Sequence, residues 1–324
     1  KTIYLGGGTP SVIESGHISQ IMDCVKENYT LSDNVETTIE VNPGTVSKEK
    51  LLTYKNSGIN RLSIGLQETH DNLLKELGRI HTYDDFLNTY NLAREVGFDN
   101  INVDLMLALP KQSMNDLKES LNRIIKINPE HISVYSLIIE EGTPFYDKYM
   151  SNKIILPEEE EERKMYWLAK RKLEEAGYIH YEISNFAKKG YESRHNLSCW
   201  NQEEYVGCGV SAHSYTNNVR YSIIDSIEEY ISNFESSNEA DNIIFHEKQN
   251  KESKMKEFMM LGLRKIDGVQ IQNFKSKFRE NPIFTYRKEL EKLVNEDLLE
   301  IDGDCIKLTS KGLDLANLVW EEFV

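Results

Sequence analysis

Four stretches of this 324-residue chain place glycine or polar residues at the ends of apolar, strand-like runs. Gly6-Gly7-Gly8-Thr9 follows the run that starts at Thr2, and Glu40 closes Thr37-Thr38-Ile39. Gln67 closes Arg61 to Leu66, and Asp104 falls inside Ile101 to Leu109. Where βα units repeat, such positions gather at the carboxyl face of a parallel sheet or barrel, where ligands bind. Three glycines let backbone amides approach a ligand closely. With two acids and an amide beside them, the set suits a polar, zwitterionic small molecule. Each feature alone reads as a tight turn or a surface cap; four at successive strand ends read as a site. Arg79, just after the Gln67 strand, adds a planar cation suited to a carboxylate.

The elements that must hold these residues alternate regularly from residue 1 to about 176. Ile18, Ile21, Met22, Val25 and Tyr29 recur at helical spacing. Ser47 is an N-cap for a helix stopped at Gly58, and Thr82 with Asp85 forms a capping box for a helix stopped at Gly97. A helix over 113–127, a strand over 131–139 and a long helix over 158–176 follow. Residues 178–186 read as one extended segment. Strand and helix in strict alternation predict an α/β fold with parallel strands. The alternation stops near Asp225. Helices over 226–236, 251–264 and 284–295 precede a hairpin over 298–309 turning on Asp302-Gly303. That order predicts a winged-helix-like second domain, with the boundary at 220/221: residues 1–220 barrel, residues 221–324 helical and winged.

Composition narrows the function. The formal charge is −15, from 38 Lys and Arg against 53 Asp and Glu. A duplex-binding surface needs a basic face, so the wing is expected to pack and not to bind nucleic acid. No apolar run approaches the roughly 20 residues of a membrane-spanning helix, so no integral membrane segment is expected. Cys24, Cys199, Cys208 and Cys305 are scattered without CxxC spacing, which indicates neither a disulfide framework nor a zinc knuckle and makes a reducing, cytoplasmic setting the expectation. The acidic run 158–162 beside Pro157 complements a helix start and carries no function.

One further segment stands apart. Arg194-His195-Asn196-Leu197-Ser198-Cys199-Trp200 and the glycine-spaced stretch to Ala212-His213-Ser214 lie outside any clear helix or strand. A loop histidine near a tryptophan can ligate a metal or a flat cofactor. A packed structural histidine is an equal reading on residue type alone.

In order, GGGTPS, IEVNPGT, RLSIGLQ, LGRIH, VDLMLALP, YEISNFA and RHNLSCW resemble the oxygen-independent coproporphyrinogen III oxidase family of radical S-adenosylmethionine (SAM) proteins, and its heme-chaperone branch in particular. The resemblance implies a partial (β/α)6 radical SAM barrel with a C-terminal winged-helix-like domain. It implies SAM held by Gly7, Gly8, Thr9, Glu40, Gln67, Arg79 and Asp104, with Asp104 on the ribose. It ties His195, with Asn196 and Trp200, to heme, although Cys199 stands where the family has tyrosine. The partners implied are heme or a porphyrinogen and a heme-recipient protein. The alternative within the family is radical oxidative decarboxylation of coproporphyrinogen III. The family's CxxxCxxC motif, which binds a [4Fe–4S] cluster, precedes the GGGTP strand. This sequence starts at Lys1, so the barrel is expected to lack its first βα unit, and residues 1–324 to carry no radical activity and no [4Fe–4S] cluster, which is expected of the intact protein.

Overall fold

The computed structural model describes residues 1–324, the side chain of Pro144 excepted. The chain divides into two compact units, residues 1–195 and 196–324.

The first unit is built as the alternation predicts. Its elements are β1 (Thr2–Leu5), α1 (Ser15–Asn28), β2 (Glu36–Val41), α2 (Lys48–Asn56), β3 (Arg61–Gln67), α3 (Asp71–Glu76), α4 (Tyr83–Val96), β4 (Ile101–Leu107), α5 (Met114–Ile127), β5 (His131–Ser136), α6 (Pro144–Met150) and α7 (Glu159–Glu175). The local signals act as expected. The Ser47 side chain accepts the Lys50 amide, Thr82 and Asp85 form a reciprocal capping box, and Gly97 ends α4 in the left-handed conformation. Residues 178–186 differ from expectation: they fold as an antiparallel pair, β6 (Ile179–Glu182) and β7 (Asn185–Ala187). The cause is Glu182, whose buried carboxylate accepts the Ser184 amide at 3.1 Å and the Asn185 side chain, closing the turn.

The sheet order is β1-β2-β3-β4-β5-β7-β6. Strands β1 to β5 run parallel, β7 pairs antiparallel with β5, and β1 and β6 form the two open edges. Register then sorts side chains onto two faces. Ile39, Val41, Leu62, Ile64, Leu66, Ile101, Val103, Leu105, Leu107, Ile132 and Val134 form one buried apolar core with residues of α1, α2, α4, α5 and α7. The alternate positions, aligned through Thr2↔Glu36, Tyr4↔Thr38, Thr38↔Arg61, Glu40↔Ser63, Ser63↔Asn102, Asn102↔His131 and Asp104↔Ser133, are polar almost throughout. Parallel strands in α/β proteins are commonly apolar on both faces. Here helices cover one face only, and the other is a surface for chemistry.

A short helix, α8 (Arg194–Trp200), leads into the second unit. Sequence pattern alone gives loop for that segment and for the following strand, β8 (His213–Thr216). Strand β8 forms because its register partner β9 (Val219–Ile223) continues to β10 (Ile243–Lys248) in an antiparallel sheet. This sheet lies within the second compact unit, residues 196–324. After α9 (Ile227–Glu235) come α10 (Lys251–Gly262), β11 (Val269–Gln270), α11 (Ile271–Phe278), α12 (Pro282–Thr285), α13 (Arg287–Asn295), β12 (Leu299–Asp302), β13 (Cys305–Leu308), α14 (Ser310–Asp314) and α15 (Ala316–Glu321). The helix expected over 284–295 is thus broken at Tyr286, whose ring packs against Phe274 and Phe323. The sheet order β11-β13-β12 has the wing hairpin at its edge. Among the described residues no helix is long and apolar enough to cross a membrane.

Candidate functional site

Glu40 is the centre of the first cluster. Its Oε1 accepts the Tyr4 hydroxyl at 2.9 Å, and its Oε2 accepts the Gly7 amide at 3.2 Å. The carboxylate is therefore aimed at the glycine turn by two donors. A Cβ on Gly6 would lie 2.7 Å from the Tyr4 ring and 3.0 Å from Glu40 Oε1, so only glycine lets the three elements meet. Gly7 and Gly8 are needed for another reason: φ of +79° and +54° places both in the left-handed region. Thr9 Oγ1 accepts the Asn42 side-chain amide at 3.2 Å, fastening the turn to the end of β2.

Gln67, 5% exposed, ends β3 with φ of +72° at an irregularity in its pairing with β4. Its Oε1 accepts the Tyr135 hydroxyl at 2.8 Å, which keeps it on the polar side of the sheet. Gly65 leaves room for this. A Cβ there would sit 3.1 Å from Gln67 Nε2 and 3.2 Å from Asn42 Oδ1. Asp104 Oδ1 accepts from Asn102 Nδ2 at 2.7 Å. Burial pushes the Asp104 carboxyl up to about 6, against the opposing pull of hydrogen bonds from Asn102 and Ser133. Tyr4 and Tyr135 have phenols raised by burial first, and then by the charges of both Glu40 and Asp104, so the two acids share one electrostatic neighbourhood. Arg79 stands outside the strands. It lines a cavity of about 230 Å³ with Met106, Glu140 and Phe145. A larger cavity of about 330 Å³ lies where β3 and β4 begin and includes none of these residues.

His195 belongs to the same face from the other side. Glu36, 5% exposed, accepts the backbone amides of Arg194 at 3.1 Å and His195 at 3.0 Å, holding the first residues of α8. The His195 ring then stacks on Tyr4, with centroids 4.7 Å apart, and its Nδ1 lies 3.3 Å from Thr2 Oγ1. Burial, with the Arg61 charge, lowers its proton affinity, while Glu36 raises it; the net direction is down. The imidazole is therefore neutral at neutral pH, the form that ligates metals. Tyr4 thus touches both Glu40 and His195. Deeper on the same face, His131 bonds Asn102 at 2.6 Å and the Tyr181 hydroxyl at 2.8 Å.

In the second unit, Trp200 does not offer an open ring. The Arg264 guanidinium sits 4.4 Å from the Trp200 ring centre and 4.9 Å from that of Trp320, a cation between two indoles. Burial raises the Cys199 thiol above its ordinary value, so it is not a thiolate at neutral pH.

Strand-end spacing points to Glu40, Gln67 and Asp104; register puts Glu40 and Asp104 on one face, and the irregularity at the end of β3 turns Gln67 to Tyr135 on the same side. The spacing does not single out Tyr4, Gly6, Glu36, Arg61 or Tyr135. The available signal was period-2 parity along β1, β2, β3 and β5, which marks each as sharing a face with Glu40 or Asp104.

The profile of the Radical SAM superfamily matches residues 1–124, and that of the HemN C-terminal domain matches residues 249–315. The chain is 37% identical over 332 residues to the heme chaperone HemW of Bacillus subtilis (strain 168), covering all of this chain and 85% of that protein. It is 35% identical over 324 residues to heme chaperone HemW of Lactococcus lactis subsp. lactis (strain IL1403), covering all of this chain and 84% of that protein. Among solved structures it matches the coproporphyrinogen III oxidase HemN from Escherichia coli, a radical SAM enzyme, with a TM-score of 0.84 at 21% identity, over 99% of this chain and 77% of that one. That likeness shows the fold, an open radical SAM barrel. The identity to proteins of that name over its whole length places this chain in the HemW family of heme chaperones, within the radical SAM superfamily.

Proposed function

We propose that this chain binds heme through His195 and SAM through the Glu40 cluster, and serves to hold heme for transfer to a recipient protein. The observation that supports it is the Glu36–His195–Tyr4 arrangement: a neutral imidazole, held by its backbone and stacked on a tyrosine, beside the acid of the glycine turn. The donor set suits SAM. The Glu40 carboxylate and the carbonyl oxygens of the glycine turn fit an ammonium group, Arg79 a carboxylate and Asp104 a ribose diol. Bound SAM would bring a sulfonium cation to this face, and this chain's residues would bind and orient it.

The residues present do not fit a cluster. A [4Fe–4S] cluster needs cysteine thiolates brought together, and among the described residues no group of three His, Cys, Asp or Glu could hold a metal. For heme, His195 is the better ligand than Cys199, whose thiol burial keeps protonated. Asn196 and Trp200 complete the sequence motif, with Trp200 serving to clasp Arg264. The relatives matched over the full chain are named chaperones, whereas the likeness to the oxidase is one of fold.

The test is an absorbance titration with iron protoporphyrin IX. The chain is expected to bind with a histidine-ligated spectrum, and His195→Ala to weaken binding at least about tenfold. Conversion of coproporphyrinogen III, with heme binding indifferent to His195→Ala, would overturn the proposal.

A further inference from the structure

Arg61 opens β3 on the polar face, aligned with Thr38 and through it with Tyr4. It is 2% exposed. Its Nε is buried without a hydrogen-bond partner, and among the described residues its guanidinium forms no ion pair. Arginine stays charged in proteins, so this is a positive charge almost wholly withdrawn from water and without an ion pair. Such a charge is costly unless something pairs with it.

The neighbouring acids are committed elsewhere. Glu36 accepts the two amides that open α8, Glu40 accepts Tyr4 and Gly7, and Asp104 accepts Asn102. Yet the Arg61 charge is felt by Tyr4, Asp104, His131, Tyr181 and His195. It stands among residues of both candidate sites. Arg79, by contrast, follows the other end of β3. A planar fork of N–H donors matches a carboxylate better than any other small anionic group that a ligand of this site carries.

We propose that Arg61 receives a carboxylate of a ligand bound on the polar face. For ligand identity this rests on the function proposed above. Two ligands have the group: heme in its propionates, and SAM in its amino-acid end, whose single carboxylate Arg61 would take in place of Arg79. An occupied Arg61 converts an unpaired charge into a bidentate pair, and it selects ligands by their acid groups.

The experiment compares matched ligands. Wild type, Arg61→Gln and Arg61→Lys are titrated with iron protoporphyrin IX and its dimethyl ester, and with SAM and decarboxylated SAM. Wild type is expected to prefer the acid of at least one pair by roughly ten- to a hundredfold. Arg61→Gln is expected to erase that preference while binding the carboxylate-free ligand as wild type does, and Arg61→Lys to retain part of it. The pair that responds identifies the source. No preference in wild type, or equal weakening towards both members of a pair in Arg61→Gln, overturns the assignment. Failure of wild type to bind either iron porphyrin removes the heme reading instead, and the SAM pair then decides Arg61. Thermal melting accompanies each titration. Arg61→Gln, which removes an unpaired charge, is expected to melt no lower than wild type. Should it fail to fold, wild type against Arg61→Lys decides the same question: an acid preference undiminished in Arg61→Lys overturns the assignment.

Discussion

Leu62 and Ser63 are adjacent on β3 and do opposite work. Leu62 is fully buried among Ile39, Ile101 and the helices of the first unit, while Ser63 takes a hydrogen bond from Asn102 on the polar face at 2.8 Å. The same contrast runs across all five parallel strands. One face contributes to stability through apolar burial; the other spends stability on buried acids, an unpaired arginine and orphan hydroxyls such as Thr38 Oγ1. A fold can carry that cost because the two sets of residues are separated by the strand's period of two. Replacing one need not disturb the other.

The largest effect should come from the apolar face. Leu62→Ala is expected to destabilise the first unit by about 2–5 kcal/mol, read from urea denaturation, because the tightly packed site cannot close over the lost volume. Its ligand affinities, measured where it remains folded, should be unchanged; a specific loss of SAM or heme binding would break the separation of faces.

Glu40→Gln should do the converse. Losing the charge opposite a ligand ammonium is expected to weaken SAM by about 1.5–3 kcal/mol, roughly ten- to a hundredfold, by equilibrium dialysis. Stability should change little, since a glutamine can keep its oxygen on the Gly7 amide and donate its Nε2–H to the Tyr4 hydroxyl oxygen.

Asp104→Asn sharpens the comparison with a smaller effect of opposite sign on stability. The folded-state pKa of Asp104 is raised to about 6 from its ordinary 3.8. Between those values the folded chain binds more protons than the unfolded one, so stability falls as pH rises and the cost is complete above about 6. Asp104→Asn is therefore expected to be more stable than wild type at pH 7, on the order of 1 kcal/mol, with the gain vanishing towards pH 4. Wild-type SAM affinity should fall as pH drops through about 6, because the protonated acid no longer accepts both ribose hydroxyls. A pH-independent difference in melting temperature would sink this assignment of Asp104.

Much of the fold was legible beforehand because its signals are local. Ser47, Thr82 and Asp85 cap helices through atoms three residues away, and left-handed glycines end them. The strand-end residues follow from alternation. The hairpin at 183–184 was not legible, because it depends on Glu182 closing a turn inside a segment that reads as one strand and contains no glycine or proline. The sheet of β8, β9 and β10 was hidden likewise: its short strands have no period long enough to read.

By itself, the sequence determined the alternating elements of the first unit up to β5 and which residues share a face of each of those strands, and it led to the expectation of a polar ligand at Glu40, Gln67, Asp104 and Arg79. The tertiary structure alone decided which faces meet. Glu36 and His195 lie 159 residues apart, and Thr2 and His195 lie 193 apart. No local propensity couples such positions. They meet because the first parallel strands align in register and the chain returns to them after β7. The same long-range packing closes Arg264 between two indoles and leaves Arg61 buried without a partner. Whether a side chain is paired depends on every neighbour that packing brings to it, and a sequence read along one strand contains only half of those neighbours.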